Sequence, residues 1–305
     1  MQPDTEQVAV DTRTRLAEET CSGHFHFSIM VYLCSAVLTI LLAVGLGDVG
    51  NFSSCLEFFY HSWPTKGIIG TPICQRYENR FRFATLYSRQ RRSPWFSAYV
   101  FYTDLKENRR KTPWMYEPQL ANGSADGNMI PFPNGTLEQN VVESQAVQQD
   151  YKNSGFSRGH LNPSFGHRSY LDSMATFTLT NVVPQWAESN NGPWAIQEGK
   201  VLKFLNRSCI GDAYIVTGIL PYESDDWWLK QDRVAVPEYL WSAYCCPTYS
   251  SKNLTNRLPT FAAIGRNDPN SNDKIVPAAR NAGYDVRHMP LVELEMHLKQ
   301  RFGTE

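Results

Sequence analysis

At 305 residues the chain is long enough for two ordinary domains, or for one large domain with appendages. With 42% hydrophobic and 19% charged residues, and 8 Trp, 15 Tyr and 16 Phe, it can build a sizeable core, which excludes disordered, collagenous and coiled-coil chains. The 29 basic and 30 acidic residues balance to a net charge of −1, which by itself points to no class of partner.

The charges are unevenly placed along the chain. The 28 residues between Glu19 and Asp48 contain no Asp, Glu, Lys or Arg, and a helix of that length is enough to cross a bilayer. Two readings compete for this segment. One is a signal peptide cut near Asp48, after the small residues Gly45 and Gly47; the other is a signal anchor that stays in place. Either way residues 1–47 form an N-terminal segment and 48–305 the working domain, and Met30 offers a second start that would shorten the leader. Without 1–47 the charge becomes 27 basic against 25 acidic, a mild +2 that is no nucleic-acid footprint. Gly45-Leu46-Gly47-Asp48-Val49-Gly50 matches GxGxxG by letter, but it follows a leader and precedes a sequon, so no dinucleotide cofactor is expected.

Export is expected on two further grounds. Glycosylation sequons stand at Asn51, Asn122, Asn134, Asn206 and Asn253, whereas Asn162 is excluded by Pro163. Five cysteines follow the leader, and an oxidising compartment predicts two bridges with one cysteine over. Cys55 is expected to pair with Cys74 across a short loop, and Cys209 with either Cys245 or Cys246, because vicinal residues on a strand face opposite ways.

In chain order, the β-rich runs Phe83–Tyr87 and Trp95–Tyr102 around a polar turn predict a hairpin. Residues 120–140, rich in Gly, Asn and Pro, predict a surface loop, and Thr-rich Ala175–Val183 predicts a strand. Trp194, Ile196, Val201, Leu202 and Leu205 suggest an irregular amphipathic helix over 193–205. Ala213–Ile219 predicts a strand, and Leu291, Leu294, Leu298 and Phe302 predict a short terminal helix. Together they make one α+β unit.

The block from Gly155 to Glu198 carries the chemistry. It contains SRGHLNP at 157–163, TNVVPQ at 180–185, NNGPW at 190–194 and Glu198. A His beside a tight Gly suits a general base. Asn carbonyls and a Glu carboxylate are hard donors for Mg²⁺ or another hard divalent cation. Arg supplies a planar fork for phosphate. Base, hard cation site and phosphate clamp are the parts of metal-assisted phosphodiester hydrolysis.

His160 is followed by Asn181 at +21, Asn190 at +30 and Glu198 at +38, with Pro184-Gln185, Gly192 and Trp194 between them. This spacing resembles that of the DNA/RNA non-specific endonucleases of the ββα-metal type, which include secreted bacterial nucleases and mitochondrial endonuclease G. CLEFFYHSWP, TPWMYEPQL, AYIVTGILP and VPEYLWSAYCC extend the likeness over roughly 52–305, to the endonuclease domain-containing 1 proteins. The resemblance implies a mixed central sheet flanked by helices, and cleavage of DNA and RNA gripped through their phosphates. By residue, it implies His160 as general base, Asn190 as the protein ligand of Mg²⁺, and Glu198 holding a water of the cation. Asn181 would orient the base or the cation's waters, while Arg158 and one of Arg109 and Arg110 would contact phosphate.

One position departs from the pattern: Ser157 stands where the family has Asp. A shorter, neutral acceptor is expected to hold the turn less well, and Ser157→Asp to raise the cleavage rate or leave it unchanged. A weakened nucleic-acid-binding or regulatory protein on a nuclease scaffold is therefore the alternative function, and a membrane-tethered ectodomain the third. Bland readings apply elsewhere: His167 as ordinary surface, Asn191 as a turn former, Trp194 and Trp241 as core. Arg89, Arg91 and Arg92 read as a solvated turn, with a phosphate-binding rim as the alternative.

Overall fold

The computed structural model of the chain describes residues 48–102, 112–224, 227–250 and 255–303. The apolar leader, Arg109, Arg110 and the sequon at Asn253 lie outside the described residues. The strands are β1 (Thr71–Tyr77), β2 (Arg80–Ser88), β3 (Ser93–Phe101), β4 (Met115–Tyr116), β5 (Ile130–Pro131), β6 (Phe156–His160), β7 (Val182–Trp186), β8 (Ala213–Leu220), β9 (Trp227–Leu229), β10 (Val234–Val236), β11 (Tyr239–Cys245), β12 (Thr260–Arg266) and β13 (Val286–Met289). The α-helices are α1 (Pro118–Ala121), α2 (Gln139–Ser144), α3 (Gln148–Tyr151), α4 (Tyr170–Ala175), α5 (Ala187–Asn190), α6 (Pro193–Ser208) and α7 (Leu291–Phe302).

Seven strands form the central sheet in the order β1-β2-β3-β8-β11-β12-β13. The expected mixed sheet is antiparallel at every one of its pairings. Short turns join β1 to β2 and β2 to β3, whereas β3 and β8 lie side by side with the whole β4–β7 region between them in the chain. The predicted hairpin is β2–β3, tightened by Arg92 at φ +46°.

Strand alternation splits the core in two. Phe96, Ala98 and Val100 join Trp241 and Ile264 on one face, covered by α7 through Leu294 with Leu291, Leu298 and Phe302 beside it. Tyr99 and Phe101 point the other way, against Leu202 and Leu205 of α6. The second face also carries a row of hydroxyls in direct register, Thr85↔Ser97↔Thr217↔Ser242, all but Ser242 fully buried.

Two sequence expectations change. Thr-rich 175–183 is no strand: α4 ends at Ala175, a single 3₁₀ turn covers Leu179–Asn181, and β7 begins at Val182. The buried hydroxyls of Thr178 and Thr180 bond to each other and to Glu117 rather than alternating across a sheet. On α6, Ile196 is 56% exposed, and Gln197 is buried in the helix's packed face, bonded to His288 at 2.6 Å.

Cys55–Cys74 ties the N-terminal approach to β1, and Cys209–Cys246 ties the end of α6 to the end of β11. Cys246 is therefore the partner of Cys209, and Cys245 is not the spare thiol expected, being disulfide-bonded itself. Of the described sequon residues, Asn122, Asn134 and Asn206 are exposed.

Candidate active site

The ribbon β6–β7 lies outside the main sheet, in the register Phe156↔Trp186, Ser157↔Gln185, Arg158↔Pro184, Gly159↔Val183 and His160↔Val182. With a period of two, Phe156, Arg158 and His160 share one face, while Ser157 and Gly159 share the other. A Cβ at residue 159 would stand 2.2 Å from Gln185 Oε1, so the glycine is required for the ribbon to close over Gln185. The SRGH and VPQ motifs thus depend on each other sterically.

His160 ends β6 with its ring between Trp114 and Phe177, at centroid distances of 5.4 and 5.1 Å. Its Nε2 is buried and has no hydrogen-bond partner. Burial pushes its pKa down to about 4, opposed by a hydrogen bond to the Arg158 backbone and reinforced by nearby His167. The ring is therefore neutral at pH 7, held at a backbone contact, with one nitrogen lone pair unclaimed. His167, expected at the surface, is buried instead and bonds the Pro163 carbonyl through Nε2 at 2.6 Å. It braces the turn that follows His160.

Arg158 lies over Trp114 at 5.0 Å and Tyr151 at 5.5 Å. Its Nε is buried without a partner, and no carboxylate pairs with it among the described residues. Burial lowers its pKa, which still leaves guanidinium charged at neutral pH. A cation held on aromatic faces with no counter-ion among the described residues is suited to an external anion. By contrast, the Arg89–Arg92 turn is only partly solvated, with Arg89 exposed and Arg91 and Arg92 half-buried, and its guanidinium groups have protein partners. Arg89 bonds the Leu120 carbonyl, Arg92 bonds the Glu143 and Arg233 carbonyls, and Arg91 lies over Trp95 at 4.9 Å.

Asn190 ends α5, and its Nδ2 donates to Ser157 Oγ at 3.1 Å. Ser157 Oγ in turn donates to the Gln185 carbonyl at 2.7 Å. The hydroxyl serves as acceptor and donor at once, fixing which end of the Asn190 carboxamide is nitrogen. Oδ1 is left accepting nothing from the described residues. One hard oxygen fits Mg²⁺, which keeps most of its waters, and the fit needs no cluster of His, Cys, Asp or Glu; among the described residues there is none.

Glu198 sits two turns into α6 and lines a small cavity with Tyr99, Pro163, Thr217 and Ser242. Burial raises its pKa to about 8, with the Trp194 side chain opposing. No hydrogen bond or ion pair joins it to His160 or Asn190 among the described residues. Helix α6 is locked by Trp194, whose ring lies so close to β12 that a Cβ at Gly265 would stand 2.7 Å from it.

Asn181 is fully buried with its carboxamide saturated. Oδ1 accepts from Ser97 Oγ at 2.9 Å and from the Asn162 amide at 3.0 Å; Nδ2 donates to the carbonyls of Asn162 and Thr176 at 2.9 and 3.0 Å. It has no capacity left for a cation's waters, and it acts on His160 only by clamping the backbone just after it. Asn162, excluded as a sequon by Pro163, is buried two residues after His160, with neither side-chain polar atom bonded among the described residues. The aromatic residues Trp114, Phe177, Trp186 and Trp227 gave no sequence signal beyond composition.

The model of the DNA/RNA non-specific endonuclease family matches residues 66–295. The endonuclease domain-containing 1 protein of Homo sapiens is 34% identical over 221 residues, 67% of this chain and 40% of its own length. That of Mus musculus is 34% identical over 66% of this chain and again 40% of its length, so the chain spans about 40% of these relatives. Human mitochondrial endonuclease G is 40% identical over 35% of the chain and 36% of its own length. Among solved structures, an EndoG/EndoGI complex chain aligns with a TM-score of 0.51 over 82% of this chain and 88% of that one, at 16% identity, which speaks to the fold alone. With three quarters of its length matched by the family model, and with the α+β architecture of a ββα-metal nuclease, the chain belongs to the DNA/RNA non-specific endonuclease family.

Proposed function

We propose that the chain is an endonuclease that hydrolyses phosphodiester bonds of DNA and RNA with little sequence preference, assisted by Mg²⁺ or another hard divalent cation. One observation carries this reading: a buried, neutral His160 lies on the same strand face as the cation Arg158, and among the described residues neither the His160 Nε2 nor the Arg158 charge is claimed by a protein partner.

Arg158 takes a phosphate oxygen and holds the backbone without reading bases. His160 Nε2 accepts the proton of the attacking water, while the Arg158 backbone keeps the ring turned. Asn190 Oδ1 is the group that would hold the cation, oriented by Ser157. When bound, the cation supplies positive charge to the pentacovalent transition state and its leaving oxygen. A phosphate close to His160 also raises its basicity toward the working pH.

The scaffold-only alternative was motivated by Ser157, and that motive weakens because Ser157 does hold Asn190 in place. The disulfides Cys55–Cys74 and Cys209–Cys246 support an oxidising, exported setting.

The test is cleavage of plasmid DNA and of RNA by the full chain, with Mg²⁺ or chelator, against His160→Ala. Loss of a general base is expected to slow cleavage by about 10²–10⁴. Equal cleavage by a folded His160→Ala protein overturns the mechanism. Binding without cleavage by folded wild type transfers the assignment to a nucleic-acid-binding protein.

A further inference from the structure

Beyond the base and the phosphate clamp, the same strand face continues into an aromatic cluster that the mechanism leaves unused. Phe156 opens β6 and pairs across the ribbon with Trp186, their rings 4.4 Å apart. Trp227 of β9 closes the group, 5.5 Å from Phe156 in edge contact and 5.9 Å from Trp186. Trp227 is 43% exposed, although large aromatic side chains ordinarily gain from burial. Nearby cations occupy Trp114, Tyr151 and Trp228, and none lies over these three rings among the described residues. Strand alternation sets Phe156, Arg158 and His160 in one line, each about 6–7 Å from the next.

We propose that Phe156, Trp186 and Trp227 form a nucleobase-stacking subsite, which makes unpaired, single-stranded stretches the preferred substrate. This rests on the nuclease reading of His160 and Arg158 and specifies its substrate class. A strand gripped by phosphate at Arg158 passes its neighbouring base over Trp227. Every base has a π-face, so stacking adds affinity without sequence preference. In a duplex those faces are already covered by adjoining base pairs, and the ring has nothing to stack on until a base is unpaired.

The experiment measures binding of the full chain in chelator, so that nothing is cut, by fluorescence anisotropy. Three labelled probes are compared: a single-stranded oligonucleotide, a hairpin duplex of related sequence, and a single strand of abasic sites. Wild type is expected to bind the ordinary single strand on the order of ten-fold more tightly than the abasic strand, as the loss of one good stacking contact requires. Trp227→Ala is expected to remove that advantage while leaving duplex and abasic binding unchanged, and Trp227→Phe to restore most of it. Equal wild-type affinity for ordinary and abasic strands overturns the subsite without any variant and leaves the nuclease reading standing. So does a Trp227→Ala effect of equal size on all three probes. Absence of binding to every probe by folded wild type overturns both.

Discussion

Ser157→Ala tests whether one hydroxyl sets the carboxamide that would hold the cation. The substitution removes the acceptor of Asn190 Nδ2 at 3.1 Å and the donor to the Gln185 carbonyl at 2.7 Å. Each net hydrogen bond contributes about 0.5–1.5 kcal/mol, so stability should fall by about 1–3 kcal/mol. In a domain of this size that lowers the melting temperature by roughly 2–4 °C per kcal/mol. The larger consequence concerns the cation. With Nδ2 unanchored the amide can turn, and the loss of a partner that orients a ligand typically lowers metal affinity or activity by about 10–100-fold. A Mg²⁺ titration of plasmid cleavage should therefore shift its midpoint upward by that order, with Ser157→Thr keeping it near wild type. Ser157→Asp, expected from sequence to help or to be neutral, should instead impair: a carboxylate can accept from Asn190 but has no proton for the Gln185 carbonyl, and two oxygens at that distance repel. A folded Ser157→Ala protein with an unchanged Mg²⁺ midpoint and rate would refute this role of Ser157.

Three further expectations follow from buried groups. With His160 neutral down to about pH 4 in the free protein, the acid limb of kcat/KM should lie near 4, and a limb between 6 and 7 would show a solvated base. Because its folded pKa lies below the ordinary 6.5, His160 contributes stability fully above that pH and loses it as pH falls toward 4. Glu117 has the opposite sign: burial raises its pKa to about 8, so its contribution is full below about 4.5 and lost as pH rises through 8. Melting temperatures of wild type should drop between pH 5 and 8 more than those of Glu117→Gln, and parallel curves would exclude Glu117 as the cause. Asn181→Ala strands Ser97 Oγ and the Asn162 backbone, and should cost on the order of 3–5 kcal/mol in urea denaturation; a loss below about 1 kcal/mol would mean the clamp is dispensable.

Local periodicity made β2, β3, β8, α6 and α7 legible, because each alternates or repeats against a face it buries. The site's order along the chain was legible too, through spaced His, Asn and Glu. What stayed hidden depends on partners distant in sequence. Thr178 and Thr180 look like strand residues until Glu117, some 60 positions away, takes their hydroxyls. His167 reads as surface until the Pro163 turn folds over it, and Arg92 as solvated until the carbonyls of Glu143 and Arg233 arrive. Trp227 carries no local pattern at all, since its meaning lies in its nearness to Phe156 and Trp186. The two partners of Ser157 stayed hidden for the same reason: the missing carboxylate is visible in the sequence, but Asn190 and the Gln185 carbonyl beside it are not.

His160 is positioned from the sheet rather than from the ribbon that carries it. Starting at Glu117, Thr180 donates to the carboxyl and accepts from Gln75 Nε2 at 2.9 Å; Gln75 also reaches Thr85 at 3.1 Å. Thr85 meets Ser97 at 3.0 Å, and Ser97 donates to Asn181 at 2.9 Å. Asn181 then grips Leu161 and Asn162 through three hydrogen bonds, immediately after His160. Every side chain along this path is buried, where a hydrogen bond is strong and an unpaired group is costly. A five-residue, two-stranded ribbon is too short to hold a ring rigidly by its own ladder. Anchored through Asn181 to the hydroxyl row of β2 and β3, it inherits the rigidity of the seven-stranded sheet. That gives the fully buried Asn181, 21 positions after His160, a structural reason for its place in this chain's motif. A general base needs its lone pair held in place before the phosphate arrives, and in the proposed role of His160 the sheet core would hold it.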